Sequence, residues 1–283
     1  MILVAGGTGR LGTLLVARLA KRGLDVRVLT RDPARASHLD GVANQIVVGD
    51  VRDRASIEDA MRGVHLVVSA VQGFTGPGRV TPATVDRDGN ANLVDAAAAV
   101  GADVVLLSIV GASTDSPMEL FRAKHAAEQH LRASATSWTI VRATAFMELW
   151  AQIMAKPIVF GRGDNPINFV SVSDVVGVVE RAVTEPSLRG QVLEVGGPQN
   201  LTFNELATML QDIRGGRGKV RHVPRWVLRT IAPFALQARA ALTMDTTDLT
   251  FDAATTRAAF TDLPMTDART ALSGTQGEPQ SHF

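Results

Sequence analysis

Short apolar runs alternate with amphipathic stretches along the first half of the chain. The runs fall at residues 2–5, 25–30, 45–48, 66–70, 104–108 and 139–142, the lengths of buried strands. Between the first two, residues 9–21 place Leu11, Leu14, Leu15 and Leu19 along one helical face, with Lys21 and Arg22 at the end and Gly23 following. Residues 81–100 carry Val85, Leu93, Ala96 and Ala97 on a broad apolar side. Six strands alternating with helices predict right-handed crossovers and a doubly wound parallel α/β sheet.

After residue 142 the rhythm changes. A helix is predicted over 146–155, ended before Pro157, then short strands at 158–160 and 167–170 around a turn-rich 161–166. A helix at 173–184, a strand at 192–195 and a capping box, Thr202 with Glu205, at the head of a helix over 202–210 follow. Residues 225–242 form an apolar helical region studded with Arg. These pieces predict a smaller, discontinuous lobe, about 143–170 and 187–272, laid over the strand ends of a Rossmann domain built from 1–142 and about 171–186. The polar tail 273–283 is expected to be disordered.

Composition narrows the chemistry. The 283 residues carry 29 basic and 28 acidic side chains, a balance that argues against a general nucleic-acid binder. Cysteine is absent, which excludes disulfides, thiolate ligands and cysteine nucleophiles, and so is tyrosine. No apolar run reaches the roughly 18 residues of a membrane span, and the chain starts directly on a strand-like run, so a cytoplasmic protein without a membrane partner is expected. His38, His65, His125, His130, His222 and His282 show no metal-ligand spacing, and no metal is expected.

The strongest chemical signal lies between the first strand and first helix, in Gly6-Gly7-Thr8-Gly9-Arg10-Leu11-Gly12. It fits either G-x-G-x-x-G from Gly7 or G-x-x-G-x-x-G from Gly6. Both supply a tight turn, a bare backbone and a helix N-terminus for a pyrophosphate. Arg31, just past the second strand, and Arg35, one turn on, suit a 2′-phosphate, so NADP(H) is favoured, with NAD(H) the alternative through Asp32. Asp50 at the third strand's end could take an adenine amino group with Val51 on the ring, while Asp53 fits a helix N-cap. Ala70 and Val71 after the fourth strand are small enough for a ribose to lie close.

Taken together, this order resembles the short-chain dehydrogenase/reductase superfamily in its atypical NmrA-like branch. The resemblance rests on the glycine loop, Thr30-Arg31, Gly49-Asp50-Val51, Ser108, Phe121-Arg122-Ala123-Lys124, Ile140-Val141-Arg142, Ser173-Asp174-Val175 and Leu193-Glu194-Val195-Gly196-Gly197-Pro198, and spans about residues 1–272. It implies an NAD(P)-binding fold in which Lys124 holds the nicotinamide ribose, Ser108 faces a substrate carbonyl, and Ala143 and Thr144 touch cofactor; Lys124 and Ser108 are the candidate catalytic residues, the lysine also able to donate a proton or stabilise a developing oxyanion. The departure is the superfamily's acid, a Tyr one helical turn before the Lys: position 120 is Leu. A bland alternative for Lys124 is an exposed lysine paired with Glu128 at i+4.

Without that phenol, an isolated ketone lacks its proton donor, whereas a quinone or extended conjugated acceptor yields a stabilised anion. The expected function is therefore an NADPH-dependent reductase of a quinone-like or polycyclic aromatic small molecule, as in a metabolite-tailoring step feeding an oxygen-dependent hydroxylation. The competing expectation is a non-catalytic NAD(P) sensor that binds a protein partner. Expected substrate contacts are Gln72 and Phe74, Phe146, Met147 and Trp150, and Trp226, with the glycine-rich loop 72–78 as a lid.

Overall fold

A computed structural model describes residues 1–74, 80–155, 158–216 and 219–274. The strands are β1 (Ile2–Ala5), β2 (Val26–Thr30), β3 (Gln45–Val48), β4 (Leu66–Ser69), β5 (Asp103–Ile109), β6 (Trp138–Ala143), β7 (Ala145–Phe146), β8 (Ile158–Phe160), β9 (Ile167–Val170), β10 (Val192–Val195), β11 (Asn200–Leu201) and β12 (Arg221–Val223). The α-helices are α1 (Arg10–Lys21), α2 (Arg54–Ala60), α3 (Asp88–Val100), α4 (Glu119–Ala133), α5 (Met147–Ile153), α6 (Val172–Thr184), α7 (Phe203–Ile213), α8 (Arg225–Ile231), α9 (Leu236–Met244), α10 (Ala253–Ala259) and α11 (Ala268–Gly274). They divide into two compact units, Met1–Arg142 with Val175–Leu193, and Ala143–Asp174 with Glu194–Phe283.

The first unit is organised by a seven-stranded sheet in the order β10-β6-β5-β4-β1-β2-β3. Pairing is parallel across β3, β2, β1, β4 and β5. Every residue of β1, β2 and β4 is buried, because a parallel sheet is covered on both faces and its strands read as continuous apolar runs. The strand order reverses at β1, with β2 on one side and β4 on the other. That is the switch point at which α/β sheets open a crevice beyond their carboxyl ends. Ala5 stands opposite both Leu29 and Ser69, so the loops leaving β1, β2 and β4 emerge together.

One charge lies inside this sheet. Arg27 donates to the Ala60 and Arg62 carbonyls at 2.6 and 2.8 Å and to Gln45 at 2.7 Å. Its cation sits at the C-terminal end of α2, where carbonyls lack intrahelical donors and the helix dipole favours positive charge.

In the second unit, β11, β9 and β7 form one small sheet and β12 pairs with β8. Trp150 and Phe169 both pack on Phe203, with centroids 4.7 and 5.9 Å away. Asp245 is buried and accepts from the Arg162 and Gly163 amides at 2.7 and 2.9 Å and from the Arg225 guanidinium. Burial pushes its carboxyl up, but Arg225 and the two amides outweigh that and hold it below the usual range.

Several sequence expectations are corrected. Leu14 is exposed: relative to Leu11 it lies 60° away from the buried arc of Leu15, Leu19, Gly12 and Val16. The stretch from 81 opens on a π-helical turn, Pro82–Arg87, capped by Thr81, before α3 begins. Phe146 belongs to a strand paired with β9, so the helix there starts at Met147. The strand 192–195, assigned by sequence to the smaller lobe, edges the seven-stranded sheet. Ser273 and Gly274 close a helix, while the rest of the expected tail, 275–283, and residues 75–79 of the expected lid lie outside the described residues.

Candidate functional site

The glycine loop follows β1 directly, and its glycines answer to different demands. Gly6 has φ +85°, and a Cβ there would stand 2.6 Å from the Ala70 carbonyl oxygen, so β1's loop presses on β4's. At Gly12 a Cβ would come within 2.2 Å of the Gly6 oxygen, which fixes α1 hard against the loop, and at Gly7 it would meet Val28 at 2.8 Å. Gly9 differs. It is exposed, it is the N-cap of α1, and its nearest obstacle would be the Gly6 oxygen at 3.4 Å, an ordinary contact. The protein itself therefore has room for a side chain at Gly9, and packing within the chain does not require a glycine there. No side chain caps α1, whose first-turn amides have no intrahelical acceptors. A diphosphate fits this end of the helix.

Beyond β2, Arg31 and Arg35 are exposed, as a phosphate site requires. Asp32, the alternative ribose ligand, instead caps the 3-10 turn Pro33–Leu39 by accepting from the Ala34 amide at 3.0 Å. Asp50 is turned to Arg52, which donates to it through Nε at 3.0 Å and Nη2 at 2.6 Å. That hydrogen-bonded guanidinium, with a smaller contribution from Arg31, holds the Asp50 carboxyl below the usual carboxylate range. Val51 is buried, and a Cβ on Gly89 would stand 2.6 Å from it. Its side chain is core, not the free platform for an adenine ring that the sequence suggested. Asp53 caps α2 through the Ala55 amide.

Lys124 is the second centre, and it is not an exposed lysine. Its side chain is 7% exposed, and its ammonium lies 2.9 Å from Asp86 Oδ1. Two of its protons go to the Val71 and Leu107 carbonyls, at 2.9 and 3.0 Å. The Asp86 contact is an ion pair by distance but is off hydrogen-bond alignment, since Oδ1 has no hydrogen-bond partner. Asp86 is wholly buried, and its Oδ2 accepts from the Gly73 amide at 2.7 Å. One carboxylate thus holds both the lysine and the segment after β4.

The expected i+4 pair with Glu128 is replaced by a different arrangement. Glu128 accepts from Ser108 and from Arg142 at 2.9 and 2.6 Å, tying β5, β6 and α4 together. Ser108 therefore gives its proton to Glu128, and in this conformation has none for a substrate carbonyl. Ser69 similarly donates to Asn90, whose amide donates to the Asp86 carbonyl oxygen at 2.7 Å.

Sequence reasoning missed Asp86, Asn90 and the Glu128–Arg142 pair. A signal existed for the first two, since they recur at the spacing of Leu93 and Ala97 and so place polar groups on an apolar helical face. Of the other expected positions in the first unit, Thr8, Arg10, Ala70, Val71 and Phe74 are partly buried and Gln72 is exposed, whereas Leu11 is part of the core. In the second unit, Met147 is 1% exposed and is core, so it is no substrate contact. Phe146 and Trp150 are partly buried, and Trp226 is 68% exposed. Ala143 is buried, and Thr144 donates its hydroxyl to Asn168 at 2.9 Å.

Comparison with known proteins agrees with the loop. A family model described as NAD(P)H-binding matches residues 6–186. The NAD(P)H azoreductase of Xenophilus azovorans is 31% identical over 222 residues, covering 76% of this chain and 74% of that protein. The (4-alkanoyl-5-oxo-2,5-dihydrofuran-3-yl)methyl phosphate reductase of Streptomyces griseus is 32% identical over 222 residues, 76% and 74% of the two chains. Among solved structures, the NADPH-dependent quinone oxidoreductase of Escherichia coli, complexed with NADPH, superposes with TM-score 0.76 over 97% of this chain and 99% of that one, at 22% identity. At that identity the likeness establishes the fold.

Proposed function

The chain belongs to the NAD(P)H-binding family, and from that footing we propose that it is an NADPH-dependent reductase of conjugated acceptors, quinone-like or polycyclic aromatic. One observation carries the substrate class. The chain has no phenol, and among the described residues the only lysine near the switch point has its charge paired with a buried carboxylate and two protons on main-chain carbonyls. A simple ketone would become a basic alkoxide with no strong acid to meet it. A quinone or extended conjugated system leaves a stabilised anion that needs none. The two relatives are named for reducing an azo compound and a 4-alkanoyl-5-oxo-2,5-dihydrofuran, which supports the conjugated class.

Bound NADPH would supply a hydride. The chain's part is to hold it: the amides at the head of α1 and the bare backbone at Gly9 for the pyrophosphate, and Arg31 and Arg35 for the 2′-phosphate. Lys124, fixed by Asp86, keeps positive charge beside the segment 71–73, where Gln72 and the following Phe74 are the proposed substrate contacts. A metabolite-tailoring step is the proposed setting, because hydroquinone-type products react readily with dioxygen. A second reading, an NAD(P) sensor without turnover, draws on the same internal commitment of Lys124 and Ser108.

The test is anaerobic mixing of the protein with NADPH, and separately NADH, against a quinone, an azo dye, a polycyclic aromatic ketone and a simple dialkyl ketone, following nicotinamide absorbance. Protein-dependent oxidation with the conjugated acceptors and none with the dialkyl ketone is expected. Tight NADPH binding with no oxidation by any of them would replace the reductase with the sensor. Arg31→Ala should raise KM for NADPH about tenfold, the loss of one charged phosphate contact, and leave NADH unchanged.

A further inference from the structure

We propose that the hairpin formed by α8 and α9 is a docking element for anionic lipid surfaces. Between Asp212 and Asp245 the sequence holds no acidic residue and seven basic ones, Arg214, Arg217, Lys219, Arg221, Arg225, Arg229 and Arg239, which leaves the rest of the chain net acidic. Arg225 is engaged by Asp245. Arg214 donates to the Ala151, Met154 and Ala155 carbonyls, whereas among the described residues Lys219, Arg221, Arg229 and Arg239 pair with no carboxylate, and all four are exposed.

The same segment exposes its large apolar side chains. Trp226 is 68% exposed, Ile231 45% and Phe234 90%. The two helices pack on each other through the short connection that carries Phe234, whose amide donates to the Ile231 carbonyl at 2.9 Å. Leu228, Ala240 and Met244 are buried and anchor the hairpin. Those three hold its inward face, while Trp226 and Phe234 lie mostly, and Ile231 nearly half, in solvent. Arg229 in the last turn of α8 and Arg239 in the first turn of α9 flank Phe234 in sequence on either side.

A lipid surface supplies both things this pattern asks for, an apolar layer for the aromatic and aliphatic groups and anionic headgroups for the cations. Long arginine side chains reach headgroups while neighbouring rings insert. A nucleic acid would engage the arginines and Trp226 but gives Ile231 no partner. A stable protein interface needs about 800 Å² on each side, more than three apolar side chains in nine residues present. No helix among the described residues is long and apolar enough to cross a membrane, and surface docking requires none.

The experiment uses the whole chain and vesicles of pure phosphatidylcholine or of phosphatidylcholine with about 30% phosphatidylserine, read by co-sedimentation. Binding at least tenfold tighter to the anionic vesicles, and weakened by salt, is expected. Phe234→Ala should weaken it about tenfold and Arg229→Glu with Arg239→Glu at least tenfold, with NADPH affinity and the melting temperature unchanged. Equal partition on both vesicles, no partition on either, or binding indifferent to Phe234→Ala overturns the proposal. If the protein ignores vesicles and Phe234→Ala instead halves its mass by light scattering, a second copy of the chain is the occupant. Because the readout is partition and not turnover, failure here leaves the reductase reading standing, and the reverse.

Discussion

Around the glycine loop no side chain caps the main-chain amides at the head of α1, and the side chains that matter are the ones left out. Around Lys124 the polar groups are side chains turned on one another, with Asp86 wholly buried and Lys124 nearly so. Both regions belong to one unit and follow strands of one sheet. The loop leaves the head of α1 without a side-chain cap, while the cluster meets most of its polar groups from within, Asp86 Oδ1 facing the ammonium without a hydrogen bond. The difference is one of means: glycine spacing and open main chain shape the loop, whereas buried charged side chains shape the cluster.

The severest challenge to that contrast is Asp86→Asn. It keeps the shape and deletes the charge that faces a buried ammonium, and should cost about 3–5 kcal/mol in urea unfolding. A loss below 1 kcal/mol would mean the cluster is not the closed, charge-balanced unit described. Next, Gly12→Ala forces a methyl toward the Gly6 oxygen. It should cost about 1–3 kcal/mol and abolish NADPH binding by calorimetry. Gly9→Ala sharpens the point, because the chain has room for that methyl. Stability should stay within about 0.5 kcal/mol while NADPH affinity falls at least tenfold, and a destabilised variant with normal affinity would refute the division of roles.

The smallest effect concerns pH. The folded Asp50 carboxyl lies below its ordinary value of 3.8, so its pairing with Arg52 stabilises the fold above that pH and is lost as pH falls through the lowered folded value. Arg52→Ala should be slightly less stable than the parent at pH 5–7, with the gap closing only below about pH 4 by thermal melts. A gap that widened on acidification would reverse the sign.

What the sequence made legible follows the same division. Strands and the glycine loop leave signals in neighbouring residues: continuous apolar runs for β1, β2 and β4, and glycine spacing for the turn. Leu14 was misplaced because a four-leucine stripe ignores which 140° arc of α1 the sheet covers. The Lys124 cluster was illegible for a deeper reason. Asp86 is 38 positions from Lys124 and Ser108 is 20 from Glu128, so the pairs exist only once the π-helical turn, β5 and α4 are assembled. Local spacing offered Lys124 and Glu128 as partners at i+4. Burial decided otherwise, because each found a better-placed opposite charge on another element.

The π-helical turn at Pro82–Arg87 bears on anyone who would redesign this chain. Its wider turn, closed by i→i+5 hydrogen bonds, sets the direction in which Asp86 leaves the helix axis, and a regular α-helix drawn through the same residues would accumulate a different rotation by that point. A backbone tidied toward ideal geometry would aim the carboxylate elsewhere and strand the ammonium it serves. The irregular turn is thus a specification that a substitution table cannot display, and an engineer who grafts or idealises this segment must carry it over as backbone shape.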